Sequence, residues 1–475
     1  MPHCLFFLPE IALLGVALIL LCLMVSKKES SVDLQPFMVL SSIAVFATVA
    51  YSFKSSAVST FYGTYRVDLF SQGFKALLAL AFFFTIVLSE DLNVIPKRLN
   101  IEYYLFLTTS MLGMMMITSS SDILTLYVSL ELSAYSLYLL SGLKQDKKAS
   151  EASVKYLIFG AATSGLFLWG ASLLCGLAKT TSLVGIAVAS ETLMTQPAFL
   201  LGLIFVSFAF LFKLSNFPFH FWAPDVYESS ATPVTAFIGT ASKAAAVAIL
   251  IRVFMFLTPT GNFVYLLGGL AFISMTIGNT AALLQKDVKR LLAYSSVAQA
   301  GYLIIGLLSG SFEGFSSSFF YAVAYVLMNT AAFLVVLIIS KDSKEDNPQI
   351  AHFDGLAERS PFLALILLLS LLSLAGIPPL VGFTGKWILF SAAMEKGHWF
   401  LVLWAVLNSV VSLFYYLTLV KHAYLEKPKN HAPLVISGSL KVTGLFLLAA
   451  IICLGVFPDC LIRLTQAAVL NGLIW

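Results

Sequence analysis

The sequence predicts an all-α polytopic membrane protein with about 14 transmembrane helices. Three observations carry that expectation. Hydrophobic residues make up 59% of the 475 residues and charged residues only 11%, against about a quarter charged in soluble domains. Apolar runs of 17 residues or more recur from end to end, with no polar domain between them. The basic residues between the runs alternate in density from one loop to the next, as the positive-inside rule requires.

A helix crosses the hydrocarbon in about 20 residues. On that measure the spans fall at about 5–25, 37–53, 67–88, 101–119, 122–142, 153–177, 198–220, 233–256, 262–285, 290–310, 314–340, 361–394, 398–424 and 439–459. A closed barrel would show short alternating segments instead. The first run has no basic stretch ahead of it and ends in "VSKKES" without a small-residue cleavage site. It therefore reads as span 1 and not as a cleaved signal.

With the N-terminus outside, the inside loops hold seventeen basic residues: Lys27, Lys28, Lys97, Arg98, Lys144, Lys147, Lys148, Lys286, Lys289, Arg290, Lys341, Lys344, Arg359, Lys421, Lys427, Lys429 and Lys441. The outside loops and tail hold five: Lys54, Arg66, Lys179, Lys396 and Arg463. An even span count puts both termini on the outer, periplasmic side. Fourteen spans without a targeting peptide suit a bacterial inner membrane.

Six basic residues remain, all within spans: Lys75, Lys155, Lys213, Lys243, Arg252 and Lys386. One acid joins them clearly, Glu131 in "YVSLELSAYSLYLL". Unpaired, such a set would cost about 15–20 kcal/mol in hydrocarbon. Its members must pair, line a wet cavity, or be charged only part of the time. Glu131 lies about 14 Å into its span at about 1.5 Å per residue, and Lys213 and Lys243 are also near the midplane. Arg252 and Lys75 read as structural ion-pair members. Lys155 is near the inside end, where its stem can snorkel. Desolvation penalises the charged form of Lys and Glu alike, so both can exchange protons in the working range. Coupled neighbours shift one another's equilibria, and Lys suits such a relay better than Arg, which holds its proton permanently. Tyr127, Tyr135 and Tyr138 share the Glu131 helical face by spacing and read first as packing aromatics.

Two spans are interrupted. In "LFKLSNFPFHFWAP" Lys213 precedes Pro218, and in "AGIPPLVGFTGKW" Lys386 follows Pro378 and Pro379. Proline removes a donor and breaks the helix, and broken helices at membrane depth are tolerated where they line protein or water. After the first break Thr232 is the expected N-cap and Pro233 the first helical residue. The breaks fall in spans 7 and 12, five apart, so the two units have opposite orientations in the membrane. The organisation expected is a three-helix segment (1–100), a five-helix repeat of spans 4–8 (101–258), an inverted repeat of spans 9–13 (259–425) and a C-terminal helix, span 14 (426–475). Paired interrupted spans point to a transport site.

The segments "FKLSNFPFHFWAPDVYESSATPVTAF", "TASKAA", "SLELSAYSLYLLSGL", "QKDVKRLLAYSSVAQAGY" and "AGIPPLVGFTGK", in order over about 100–425, resemble the N-type antiporter-like subunits of proton-pumping NADH:quinone oxidoreductase, complex I. No long helix is expected after span 14, which agrees. The resemblance implies a proton-translocating subunit that works beside other membrane subunits, including other antiporter-like ones, in the lipid bilayer. It implies proton-carrying roles for Glu131, Lys213, Lys243 and Lys386, and a modulating role for Lys155 on Lys213. Many relatives carry a His where this chain has Gln299, which cannot take up and release a proton near neutral pH, so a direct relay role there is not expected.

The five cysteines, Cys4, Cys22, Cys175, Cys453 and Cys460, form no CxxC and read as small buried hydrophobes. The histidines, His3, His220, His352, His398, His422 and His431, have no ligand-like spacing, and His220 reads as structural more than as part of a proton route. No GxGxxG or P-loop pattern occurs. The expectation is a chain without redox cofactor, metal or nucleotide, and without nucleic acid as a partner. Two other readings stay open: a subunit of a cation/proton antiporter or membrane-bound hydrogenase-type complex, and a channel or scaffold whose lysines are structural. A sodium site favours acidic or carbonyl ligands, and the mid-membrane charges here are mostly lysines, which favours protons.

Overall fold

Each apolar run folds into helix because lipid offers backbone N–H and C=O groups no partner except one another. The computed structural model describes residues 6–26, 33–53, 57–256, 261–343, 346–428 and 431–473. The expectations placed on His3, Cys4, Lys27, Lys28, Lys54, Lys344 and Lys429 lie outside them. Among the described residues twelve helices are long and apolar enough to cross a membrane. Two expected spans fall outside that set, each for a local reason. Helix Asn100–Ser119 carries Glu102, Thr108, Thr109 and Ser110, which dilute its apolar character. Span 12 is divided into Pro361–Ala375 and Val381–Glu395, each too short to cross alone. With these, every one of the expected positions is occupied by helix.

The chain departs from expectation in four places. Span 7 ends as a helix at Leu214, and a short helix, Trp222–Ser229, follows the break. Helices Leu183–Leu193 and Asp459–Leu473 were not anticipated; neither is an uninterrupted apolar run of spanning length. Thr232 is the first helical residue and not the N-cap, which is Ala231; the Thr232 hydroxyl is directed to Asp346 at 3.4 Å. Finally, Cys22, Cys453 and Cys460 are exposed on the rim, where an apolar thiol can face lipid as easily as core.

Burial sorts the helices. Thr232–Met255, Val288–Leu308 and Phe312–Ser343 are buried along almost their whole length, and the last touches helices from both halves of the chain. The first two helices, Leu8–Val25 and Gln35–Ser52, lie mostly exposed. A hairpin of Val58–Thr60 and Tyr65–Val67 sits beside them. The C-terminal helix Asp459–Leu473 packs on Leu69–Leu88 and Phe312–Ser343.

The loops bear out the alternation of sides. Lys144 meets Asp346 at 2.7 Å, Arg290 meets Asp225 and Glu228 at 2.9 and 2.8 Å, and Arg359 meets Asp342 at 2.8 Å. All of these join loops assigned to one side, here termed the basic face. At the opposite face Arg66 donates to the Asn471 carbonyl at 3.3 Å. One missed span would have put these partners on opposite sides. Lys289, assigned to a loop, is instead fully buried inside its helix, held by Asp346 at 3.1 Å.

Two in-span cations are ion-paired, as expected, by acids the sequence reading passed over. Arg252 forks onto Asp68 at 2.8 and 3.0 Å, with Arg66 also on Asp68 at 3.1 Å. Asp68 meanwhile caps helix Leu69–Leu88 through the Ser71 N–H. Lys75 meets Glu10 at 2.7 Å. Truncating one member of such a buried pair strands the other, at about 3–5 kcal/mol. Asp68→Ala should therefore sharply lower the amount of folded chain in membranes, and the double change Asp68→Ala/Arg252→Met should recover part of it. Immunodetection and detergent thermal melts would read both.

Candidate functional site

The first break places one ammonium. Helix Pro197–Leu214 ends at Ser215, whose left-handed backbone (φ 63) turns the chain. Lys213 lies in the last turn, where carbonyls lack helical donors and a cation is favoured. Its Nζ donates to the Ser133 hydroxyl on helix Ile123–Ser141. Glu131 on that helix accepts a hydrogen bond from the Ser164 hydroxyl of helix Lys147–Ala178. Glu131, Lys213, Ser164, Thr163, Tyr127 and Tyr138 line one cavity of about 30 Å3, which has room for about two water molecules. Carboxylate and ammonium thus share a small, mostly apolar-lined cavity without touching, a gap that water can bridge. Tyr135, expected on the same face, is half exposed and turned away from the pocket.

The second break places another. Helix Pro361–Ala375 ends at Gly376 (φ 92). Lys386, in the second turn of Val381–Glu395, reaches back to the freed carbonyls of Leu374 and Ala375 at 2.9 and 3.0 Å. It also donates to the Ser409 hydroxyl at 2.9 Å and lies 4.6 Å from the centre of the Tyr302 ring. In the second break the ammonium serves the C-terminal end of the first half-helix; in the first, the Leu211 and Phe212 carbonyls instead accept from the Asn216 and Ser215 N–H groups and from the Trp222 ring N–H.

Lys243 sits between the two on the wholly buried helix that follows the first break. A π-helical turn, Ile238–Ser242, immediately precedes it; such turns gather at functional sites. Its Nζ donates to the Ser296 carbonyl at 3.1 Å and hydroxyl at 2.7 Å. On the same helix as Ser296, Ser295 bonds the Tyr416 hydroxyl, and the Gln299 amide donates to Tyr416 at 3.4 Å and to the Leu374 carbonyl at 3.0 Å. Gln299 also accepts from Tyr321. Gln299 thus shares with Lys386 one acceptor, the Leu374 carbonyl, and its side chain is fully engaged as a fixed bridge.

Lys155 stands apart. It pairs with Glu151 at 2.8 Å and Asp225 at 2.9 Å near the basic face, and its side chain is 43% exposed. It does not line the Glu131–Lys213 cavity. His220 is buried within the first break between Phe217 and Phe221, with Nδ1 unpaired.

The sequence reading missed the hydroxyls. Ser133, Ser164, Ser296 and Ser409 each meet a key charge, yet serine is too common in these helices to be singled out. Only position relative to a second helix marks them. Gly376 is the residue that makes room for Lys386: an added Cβ would lie 3.1 Å from its Cδ and would take a left-handed backbone. Gly376→Ala should cost about 1–2 kcal/mol, lowering the melting temperature in detergent. Gly438→Ala, in open space at a helix start, should leave it unchanged.

Residues 120–412 match the family described as NADH:quinone oxidoreductase/Mrp antiporter, TM. The chain is 43% identical to NADH-quinone oxidoreductase subunit N 2 of Syntrophobacter fumaroxidans, over 97% of this chain and 98% of that one. It is 40% identical to the like-named protein of Solidesulfovibrio magneticus, over 97% of each. Its fold resembles a chain of respiratory complex I from Thermus thermophilus with bound aureothin, with TM-score 0.83, 30% identity, and coverage of 96% of this chain and 98% of that one.

Proposed function

Because the chain belongs to the NADH:quinone oxidoreductase/Mrp antiporter transmembrane family, we propose that it is the proton-translocating membrane subunit of an NADH:quinone oxidoreductase. Protons move through the buried series Glu131, Lys213, Lys243 and Lys386, driven by redox chemistry in partner subunits. One observation carries the reading. The cations that hold the fold together, Arg252, Lys75 and Lys289, each contact a carboxylate. Lys213, Lys243 and Lys386 instead donate to neutral hydroxyls and carbonyls. An ammonium paired to a carboxylate cannot release its proton without stranding the anion. One held by neutral oxygens can, and the same oxygens then hold the amine.

The chain's role in this reading is non-redox. It offers no Cys cluster for iron–sulfur ligation and no nucleotide-binding pattern, so electrons and quinone belong to its partners. Those partners are other membrane subunits of the complex, antiporter-like ones among them. The two broken spans support an inverted pair of five-helix repeats, spans 4–8 and 9–13. The basic face is then cytoplasmic, the protein lies in a bacterial inner membrane, and both termini are periplasmic. Lys155, gripped by Glu151 and Asp225, would act on Lys213 only through the Trp222–Ser229 segment that Asp225 anchors.

The test is NADH-driven proton pumping in membranes carrying Lys213→Ala, measured beside the assembled amount of the complex. Losing a charged hydrogen-bonding group is worth about 1.5–3 kcal/mol, so oxidation and pumping should fall together by about 10- to 100-fold with assembly intact. Normal rates at normal assembly would make the ammonium structural and refute the reading. Exchange of cations for protons by the purified chain alone would favour the antiporter instead.

A further inference from the structure

At the face opposite the basic one, helix Leu8–Val25 shares a wide cavity with helix Asn100–Ser119 and the tip of the hairpin. Its volume is about 940 Å3, and its walls include Glu10, Ile11, Leu14, Tyr62, Leu112 and Met116. Glu10 stands in the first turn of its helix, and Leu112 and Met116 lie in the last two turns of theirs. At about 1.5 Å per residue the cavity reaches only about 10 Å down from the helix ends, the depth of lipid headgroups and upper acyl chains. Its frame is fixed by Phe61, whose ring centre lies 5.2 Å from that of Phe7. Phe61 and Tyr62 hold left-handed backbones (φ 49 and 56), which persist only where the surroundings impose them. Tyr62 stands fully exposed at the rim, the level at which aromatic side chains meet headgroups. Below the cavity Ile11, Leu14, Leu18, Leu21 and Val25 are all exposed. Their spacing of three and four residues puts them on one side of the helix, an apolar track from the cavity into the hydrocarbon.

Glu10 gives this cavity its one unmet polar requirement. Its side chain is only 9% exposed. Oε1 accepts from the Tyr65 hydroxyl at 2.8 Å and pairs with Lys75 at 2.7 Å. Oε2 is buried and, among the described residues, accepts from nothing. Buried carboxylate oxygens are nearly always satisfied. Lys75 already balances the carboxylate, so a bare cation added here would be an uncompensated charge away from water. The group that fits is a donor that carries its own counter-charge. We infer that the cavity holds one zwitterionic phospholipid with a primary-ammonium headgroup. The ammonium, with three N–H donors, donates to Glu10 Oε2. The phosphate stays in water at the rim, and an acyl chain lies along the Ile11–Val25 track. A trimethylammonium headgroup has the same charge and nearly the same size but no N–H to give, and an anionic headgroup has no ammonium. The lipid completes the Glu10–Lys75 pair and so helps tie helix Leu8–Val25 to helix Leu69–Leu88.

The experiment uses the assembled complex in phosphatidylcholine vesicles doped with phosphatidylethanolamine that carries a photoreactive diazirine on one acyl chain. Illumination should label the peptides that hold Ile11, Leu14, Leu112 and Met116. A hydrogen bond to a charged group sets the preference, so unlabelled phosphatidylethanolamine should compete about tenfold better than phosphatidylcholine or phosphatidylglycerol. Leu14→Trp fills the groove without touching the ion pair and should reduce labelling of the Leu112–Met116 peptide by about tenfold. Glu10→Gln keeps an oxygen for Lys75 and removes the Oε2 acceptor. It should leave labelling in place but abolish the preference between the ethanolamine and choline headgroups, a readout that a purely packing role would not move. If Glu10→Gln fails to assemble, the wild-type competition series and Leu14→Trp decide. Equal competition by all three lipids in the wild type overturns the inference, as does stronger competition by phosphatidylglycerol. Absence of label on these peptides also overturns it, since another segment of protein then covers the groove. No arm reads proton pumping, so failure here leaves the proton-carrier reading standing, and failure of that reading leaves this site standing.

Discussion

An ammonium in hydrocarbon needs lone pairs, and a broken helix in hydrocarbon needs donors for the carbonyls it frees. At the second break of this chain each supplies what the other lacks. Lys386 folds back onto the open carbonyls of Leu374 and Ala375, and Lys213 occupies the last turn before its own break. Without Lys386 the Leu374 and Ala375 carbonyls would each lose a donor; without the break Lys386 would have only the Ser409 hydroxyl. The interruption and the lysine there are therefore one feature, and the rest of the bundle is arranged to keep it dry on the lipid side and polar within. Of the three most buried helices, Phe312–Ser343 and Val288–Leu308 pack directly on the halves of the broken spans.

The buried charges divide by the company they keep. Arg252 with Asp68, Lys75 with Glu10 and Lys289 with Asp346 are closed ion pairs that lock helix ends at the two faces. They fix the register of helices that have little other means of orienting in lipid. Among the described residues Lys213, Lys243 and Lys386 have no contacting carboxylate and are held by serine hydroxyls and backbone oxygens. That difference separates the cations that tie helices together from those the proposed function uses. It also gives Gln299 a role. Its amide ties the Leu374 carbonyl, Tyr416 and Tyr321 together, so it holds the geometry between Lys243 and Lys386 while carrying no proton itself.

Much of the fold was legible in the sequence because the bilayer imposes length and polarity on every helix. The positions of all fourteen spans, both breaks and the buried cations could be read from apolar runs, prolines and stray charges. Legibility failed where polarity and span length diverge. Asp68 and Glu10 fall near one end of the expected spans 67–88 and 5–25, and only the fold shows that they meet Arg252 and Lys75. Lys289 looked like a loop cation because its helix begins earlier than its apolar stretch. The helix Leu183–Leu193 is apolar but too short to span, and Asp459–Leu473 mixes polar with apolar residues, so neither stands out as a span.

The sequence by itself determined that this chain spans the membrane many times, which way its loops alternate, and that Glu131, Lys213 and Lys243 lie deep in apolar runs where charge is costly. Those facts follow from the cost of placing charge in lipid, which acts on each residue singly. Only the tertiary structure decided which cations are paired and which are held by neutral oxygens, and that Glu131 and Lys213 share one small cavity. Those are relations between helices distant in sequence, set by packing, and a hydroxyl acquires its role only from what stands opposite it.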